Sequence, residues 1–568
     1  MKTKKIKRLL ALFLASSMLI SLTACDGKKR KNDDEKSNNN QTAEVPEYMN
    51  MDSMLPIVKE GTDITLKVLI VNGSMYSNMD SIEDVYFVDA YEEKTGVHIE
   101  WTEVSDSAFG DQLALMMTTG DMPDVILKGG CSNSTQLKYG NQGYFLNLME
   151  NDMLETYAPN YWALAQKYPE LLSSSTMPDG SVYSMGMVRN STGSTVASRM
   201  FFNQEWLSKL GLSVPTNADE LYNVLYQFKN SDPNGNGRAD EVGMYLSTSH
   251  LQYLTFGMFG IGNRGSENSF IDWDEKEEKV RYFAASDGFR EWVKYVTKLY
   301  QEGLINKEYF DFTENNLGNH VQNNVCGAFG YTNLSMLNEA TKTKFTYLQG
   351  ALEGPDGDND YYGVKSIGAT VSYIITSACE YPEVALRWAD YFYSDEGSLF
   401  WYYGDEGVTY EALEDGTYEY TENVLADYYN GSNSYDGCAV YVSLYGYGKT
   451  PSMTKVPYNA ADDNKGISLK AAEAVIEDCA IAWPAFTFTS DEQIIIEDIK
   501  AEIDNYVTYM RDSWIMGLSE LNDTTWQQFI DTINGMGLEE VLEVYEAALQ
   551  RAYDAGFEEG YHTLDEFK

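Results

Sequence analysis

Thr65-Leu66-Lys67-Val68-Leu69-Ile70-Val71 is a near-continuous apolar, β-branched run that stops at Asn72-Gly73. A run this short, closed by turn residues, reads as a buried strand. Ser81 to Glu93 follows with helical spacing through Val85, Val88, Ala90 and Tyr91. Val97 to Val104 (VHIEWTEV) reads as a second strand, Asp111 to Thr119 as a short amphipathic helix, and Asp124-Val125-Ile126-Leu127 as a third strand. Strand, helix, strand, helix, strand predicts a parallel α/β sheet with right-handed crossovers. In such sheets ligands meet the chain at the carboxyl ends of the strands. From about Gln204 the pattern turns mostly helical. Asp219 to Lys229 carries Leu221, Val224, Leu225 and Phe228 on one face, and Asp287 to Glu302 carries Phe289, Trp292, Val293, Val296 and Leu299. Tyr381 to Tyr393, Ile494 to Arg511 and two segments within Asp523 to Tyr553 are further helices. No internal repeat is present.

The amino end sets the compartment. Lys2, Lys4, Lys5, Lys7 and Arg8 precede an apolar run from Leu9 to Leu22. That run is shorter than the roughly 20 residues a membrane-spanning helix needs, so it reads as an export signal. It closes on Leu22-Thr23-Ala24-Cys25, which resembles the bacterial lipobox, where the Cys thiol takes a diacylglycerol and a palmitate-type acyl chain follows. An ordinary secretory signal is the alternative. Residues 25–60 are polar and read as a flexible tether, too poor in apolar surface to offset the entropy of ordering. This places the protein on the outer face of the cell membrane, attached through the lipid anchor only. Residues 1–24 contain five basic and no acidic side chains, so cleavage leaves 36 basic residues against 87 acidic ones, a net charge of −51. Such a chain repels nucleic acid, whose binding depends on Lys and Arg neutralising phosphates. About 500 residues then remain, too many for one core, which predicts two lobes or more. Besides Cys25, five Cys are present, an odd number with no CxxC, read as buried thiols with at most one or two bridges.

A chain of short segments resembles family 1 extracellular solute-binding proteins. Gly120-Asp121-Met122-Pro123-Asp124-Val125 is similar to the family's GDxPD turn. In the family's order follow Gly143 to Leu148, Ala158-Pro159-Asn160, Asp179-Gly180-Ser181-Val182-Tyr183, Trp206 to Leu212 with Pro215-Thr216, Lys298 to Phe310, Glu353 to Gly357, and a tail from Met516 to Tyr553. The resemblance implies a two-lobed type II periplasmic-binding-protein-like fold with several hinge crossovers. It implies a monomer that captures a carbohydrate, an oligosaccharide by preference, for an ABC permease by hinge closure. It assigns 61–190 to the first lobe, 191–365 mainly to the second, and 366–568 to segments shared between the lobes and to C-terminal helices. The chain departs at Asn203, where many relatives carry Arg, and at Thr409, where an aromatic residue or His is common.

Asp232-Pro233-Asn234-Gly235-Asn236-Gly237-Arg238-Ala239-Asp240-Glu241 spaces its oxygen-bearing side chains like the start of an EF-hand loop. Asp232, Asn234, Asn236, Asp240 and Glu241, with the Arg238 carbonyl, form a candidate structural Ca2+ site. The usual acid at position 12 is Gly243 here, and Glu241 stands in for it. Alginate-binding relatives carry nearly this loop as a calcium site. An Asx-rich turn is the alternative.

The 43 Tyr and 10 Trp suit a site that is part apolar and part wet. Trp206 and Trp292 read as core. Loop aromatics are the ligand candidates: Trp273, Trp401, Tyr402, Tyr403, Trp483 and Tyr183. Asp121 and Asp124 are further candidates, with loop bracing as their alternative. Against catalysis, the four His are scattered, and no HExxH, GxSxG or P-loop occurs. The chain reads as no enzyme. An exported glycoside-processing enzyme, an adhesive surface protein or a binder of a non-sugar solute such as a peptide are the competing readings.

Overall fold

The computed structural model describes residues 45–72, 81–84, 86–127, 129–188, 192–334, 337–364, 368–414, 418–422, 467–478 and 482–557. The segment read as an export signal, Cys25, Cys438 and Cys479 lie outside the described residues. The first lobe is built on a five-stranded sheet of order β2-β1-β3-β11-β4. Its strands are β1 (Thr65–Asn72), β2 (His98–Ser105), β3 (Val125–Leu127), β4 (Met185–Val188) and β11 (Gly368–Ile375). β1 pairs in parallel with β2 and with β3, as the strand–helix alternation predicts. β11 then runs antiparallel to both β3 and β4. No local pattern announces that partnership, because β3 and β11 lie far apart in the chain.

Alternation along β1 explains why both sheet faces are covered. Leu66, Val68 and Ile70 pack with Phe87, Tyr91, Tyr161 and Trp388, under helices Tyr86–Thr95, Pro159–Lys167 and Pro382–Asp390. Leu69 and Val71 pack with Phe109, Leu113, Ile126 and Leu137, under helices Asp106–Thr119 and Asn133–Asn141. Helix Asp106–Thr119 begins five residues before the predicted start at Asp111. It runs through Gly110, where a Cβ would meet open space, so the glycine costs only its backbone entropy. Part of the segment 25–60 that reads as a tether is packed. Met49, Ile57 and Val58 are buried in the first lobe, and Met49 bridges Val58, because these apolar residues have a core within reach.

The second lobe carries a four-stranded sheet of order β10-β5-β9-β6. Its strands are β5 (Arg199–Asn203), β6 (Val242–Tyr245), β9 (Cys326–Tyr331) and β10 (Phe345–Tyr347). A hairpin, β7 (Ile271–Asp274) and β8 (Lys279–Tyr282), stands beside it. Its core joins Trp206, Phe228, Phe289 and Trp292 to Trp514, Phe529 and Tyr545 from helices Ala501–Ile515, Asp523–Gly535 and Leu538–Asp554. Trp206 and Trp292 are fully buried, and the Trp292 indole donates to Thr255 Oγ1 at 2.8 Å. The chain enters this lobe between β4 and β5 and leaves it between β10 and β11. It returns between helix Asp395–Tyr403 and helix Ile467–Glu473, which packs on β5 and β10.

Cys131, Cys326 and Cys379 are free, and burial pushes each thiol up to about 12. Thiols so far from ionisation are inert packing groups. Among the described residues no helix is long and apolar enough to cross a membrane.

Candidate functional site

Strand direction fixes which surfaces face each other. β4 ends at Val188, and its partner β11 begins there at Gly368. Both crossovers therefore lie at the carboxyl ends of β1, β2 and β3, beside Ser105 and the segment Gly129 to Ser132. In the second lobe β5 receives the chain at Arg199, opposite Tyr331 at the carboxyl end of β9, and β6 runs parallel to β9. The carboxyl ends of the two sheets thus meet across the crossovers, where α/β sheets bind ligands.

The second-lobe wall is aromatic. The His250 ring lies 5.1 Å from Tyr331, 6.1 Å from Phe312 and 6.3 Å from Tyr253, all half-buried. Helix Thr248–Thr255 starts directly after β6, and the Ser247 hydroxyl accepts from the His250 N–H as its N-cap, which aims His250 at the crossovers. The His250 Nδ1 pairs with the Ser198 hydroxyl at 2.8 Å. Burial, helped by the Arg199 charge, lowers the imidazole to about 4, so it is neutral at pH 7. Arg199 is itself buried. Its guanidinium donates to the carbonyl oxygens of Thr332 and Gly193, and desolvation lowers it to about 10. Neutral rings with polar edges suit a polyhydroxylated, uncharged face better than an ion.

The residues singled out in the sequence fall in different places. Trp273 is half-buried on β7 and meets Trp483 edge-on at 6.3 Å. Trp483 is fully buried, with the Arg264 guanidinium 5.7 Å from its ring centre. Tyr183 is buried against Gly140, where a Cβ would come within 2.1 Å of the ring. Asp124 sits at the amino end of β3, away from the crossovers. Its carboxylate accepts from the Lys67 N–H at 2.7 Å and its backbone bonds to Lys67 and Thr376, so it ties three strands together. Burial nevertheless raises its pKa. Asp121 is exposed at that same end. Trp401, Tyr402 and Tyr403 end helix Asp395–Tyr403, and their side chains lie outside the described residues.

The loop 232–241 is folded around its own oxygens. Asp232 accepts from the Gly237 N–H at 3.1 Å, Asn234 from the Asn236 N–H at 2.9 Å, and Asn236 from the Arg238 N–H at 2.7 Å. The Asn234 and Asn236 amides donate to Asp240. Glu241 is buried with Oε1 unpartnered, and burial raises its pKa, with Asp240 and Asp232 adding to the rise. Lys229 donates to the Glu241 carbonyl at 2.5 Å, and Lys209 to the Pro233 carbonyl at 2.8 Å. Among the described residues no group of three or more His, Cys, Asp or Glu is gathered closely enough to hold a metal. Asn and backbone oxygens would have to complete any set.

The sequence from 76 to 398 matches the family profile of bacterial extracellular solute-binding proteins. The chain belongs to that family. FusA of Streptococcus pneumoniae, a fructooligosaccharide ABC transporter substrate-binding protein, is 26% identical over 566 residues, 96% of this chain and 97% of its own. Lipoprotein LipO of Bacillus subtilis is 25% identical over 509 residues, 85% of this chain and 92% of its own. The solved complex of FusA with kestose superposes with a TM-score of 0.67 at 25% identity, over 87% of this chain and 100% of that one. An EF-hand mutant of FusA, in complex with fructo-nystose, superposes equally, with a TM-score of 0.67 at 24% identity over the same shares of each chain. An HMO-binding solute-binding protein of Bifidobacterium longum infantis shares the fold, with a TM-score of 0.71 at 22% identity over 87% and 99% of the two chains.

Within this family's fold, the wall of His250, Tyr253, Phe312 and Tyr331 was not picked out by the sequence. Two signals were available. Ser247 to His250 directly follows the strand ending at Tyr245, and Tyr331 closes the strand Cys326–Tyr331. Both positions are carboxyl ends of strands, where the fold class already puts ligands.

Proposed function

We propose that this protein is a lipid-anchored capture protein that binds an oligosaccharide between its lobes, without turning it over, and presents it to an ABC permease. The observation that carries the reading is the meeting of two sets of strand carboxyl ends across the crossovers, walled by half-buried neutral rings. End-to-end similarity to FusA supports a fructooligosaccharide-like ligand. Ligand bridging the lobes favours a closed state, because it gains contacts there that the open state lacks. Trp273, Tyr253 and Tyr331 offer ring faces to sugar C–H surfaces, and His250 and Ser198 offer polar edges. The helix end at Trp401, Tyr402 and Tyr403 is assigned to the same cleft. Tyr183, Trp483 and Asp124 are assigned supporting roles through their packing and hydrogen bonds, and the exposed Asp121 is assigned no part in the cleft. A thermal-shift panel of kestose, longer fructans and unrelated oligosaccharides tests the reading. Stabilisation by one class without release of shorter sugars is expected, since selective binding to the folded state raises its stability. Product release would indicate an enzyme instead.

The acidic loop fits calcium in its chemistry: all its donors are hard oxygens, and the buried Glu241 Oε1 has no hydrogen-bond partner. Asp232, Asn234, Asn236, Asp240, Glu241 and the Arg238 carbonyl would hold the ion, which would brace the loop and do no chemistry. The similarity to FusA, for which an EF-hand has been mutated, supports this. Cys25 is proposed as the lipid site, supported by the similarity to LipO. Cys25→Ala is expected to release the protein from cells into the medium, and retention at the membrane would refute the anchor.

A further inference from the structure

The two crossovers between β4 and β5 and between β10 and β11 do not leave the second lobe independently. Val196 bridges Val364, the Ala197 N–H donates to the Gly363 carbonyl at 2.6 Å, and the Tyr361 hydroxyl donates to the Ser198 carbonyl at 2.5 Å. The loop of residues 262–268 closes over this pair. Ser266 donates to the Val364 carbonyl twice, from its N–H at 3.0 Å and from its hydroxyl at 3.1 Å. On its other side the loop holds a C-terminal segment. The Trp483 N–H donates to the Arg264 carbonyl at 3.0 Å, and the buried Asn268 amide donates to the Pro484 carbonyl at 2.9 Å. Gly265 lies between the two. Its φ is +71°, and a Cβ there would stand 2.8 Å from the Val364 oxygen and 3.2 Å from the Ala482 Cα. The loop is rooted in the second lobe. The Gly262 N–H donates to the buried Asp272 carboxylate at 2.8 Å, and the Asn263 side chain exchanges bonds with the Trp273 backbone at 3.0 and 3.2 Å.

We propose that loop 262–268 is a clasp, with Gly265, Ser266 and Asn268 as positioning residues for ligand capture. It fastens the second crossover to the second lobe at Val364, and through the bonds of Tyr361, Gly363 and Val364 to residues 196–198 it holds the first crossover as well, so these two passages act as one strap. A strap tied at the Ser198, Gly363 and Val364 carbonyls restricts the openings available to the empty protein. Ligand then selects from few states, and a smaller part of its binding free energy is spent on ordering the lobes. The same loop holds Trp273 and Trp483, so the strap and a proposed sugar-facing ring move together.

This inference rests on the reading of hinged capture. It is tested on the full chain without ligand, so failure of every sugar to bind and failure of the clasp are separate results. Spin labels at exposed Asp111 in the first lobe and exposed Gln528 in the second report the interlobe distance distribution. Gly265→Ala should broaden that distribution relative to the parent protein, while Ser269→Ala, at an exposed position of the adjoining loop, should leave it unchanged. Should Gly265→Ala fail to fold, the double variant Ser266→Ala with Asn268→Ala carries the same expectation. A lowered melting temperature with an unchanged distribution in a folded variant would reduce the loop to a packing element and overturn the proposal.

Discussion

His250 shows how one half-buried side chain couples the proposed cleft wall to solution conditions. Its ordinary pKa of 6.5 falls to about 4 in the fold, through burial and the neighbouring Arg199 charge. The unfolded chain therefore binds more protons than the folded one between those values. The stability this group contributes is complete above 6.5 and is lost as pH falls toward 4, by about 3 kcal/mol at 1.36 kcal/mol per unit. Asp390 acts in the opposite sense. Burial raises it from 3.8 to about 6, against the N–H groups of Tyr161 and Asn160. Its contribution is complete below 3.8 and is lost as pH rises through 6, again by about 3 kcal/mol. The two slopes largely cancel between pH 4 and 6. His250→Phe should unmask the imbalance. Its stability relative to the parent, measured by urea unfolding, is expected to rise by about 3 kcal/mol between pH 7.5 and 4.5. An unchanged difference across that interval would mean that the fold does not lower the pKa of His250. The sequence offered only four scattered His; what makes this one consequential is Arg199, 51 positions away, which no local pattern reveals.

At the scale of elements, the acidic loop was the most legible piece, because its chemistry is written at fixed spacing in consecutive residues. What the sequence withheld is that Glu241 is buried and that Lys229 spends its charge on the Glu241 carbonyl rather than on a carboxylate. Those facts make a prediction of opposite signs. Without calcium the buried carboxylate lacks a full partner, so Glu241→Gln should leave the melting temperature unchanged or raise it. With calcium the parent should gain about 2.7 kcal/mol at a hundredfold excess over Kd, and the variant should gain little. Melting curves in chelator and in millimolar calcium distinguish the cases, and a parent protein indifferent to both would remove calcium from the loop. Sheet elements were less evenly legible. β1, β2 and β3 followed from apolar runs and intervening helices, since parallel neighbours are joined locally. β11 did not, because its register against β3 and β4 is decided by contacts between residues such as Gly368 and Val188 or Ile375 and Val125, far apart in the chain. The aromatic wall stayed hidden for the same reason: Phe312, Tyr331 and His250 are brought together by two strands and a helix with no shared sequence pattern.

For the whole molecule, the charge is the feature that binding must accommodate. The full chain carries −46, which the proposed cleavage before Cys25 would take to −51, and the field of that charge surrounds any approaching ligand. A neutral oligosaccharide does not feel it. A uronic oligosaccharide does, and its approach is opposed until salt screens the field over a Debye length, about 10 Å at 0.1 M and about 3 Å at 1 M. Arg199 offers little compensation, since its guanidinium is enclosed by the Thr332 and Gly193 carbonyls and does not face the cleft as a free cation. The neutral His250 adds no charge at pH 7. The proposed cleft wall is thus built from dipoles and ring faces inside an anionic shell, which suits an uncharged, polyhydroxylated ligand. The expected consequence is an affinity for the captured oligosaccharide that stays flat as ionic strength rises from about 0.05 to about 0.5 M. Titration calorimetry across that range checks it. Affinity that climbs steeply with salt would identify an acidic saccharide as the ligand and would require cations at the cleft beyond Arg199.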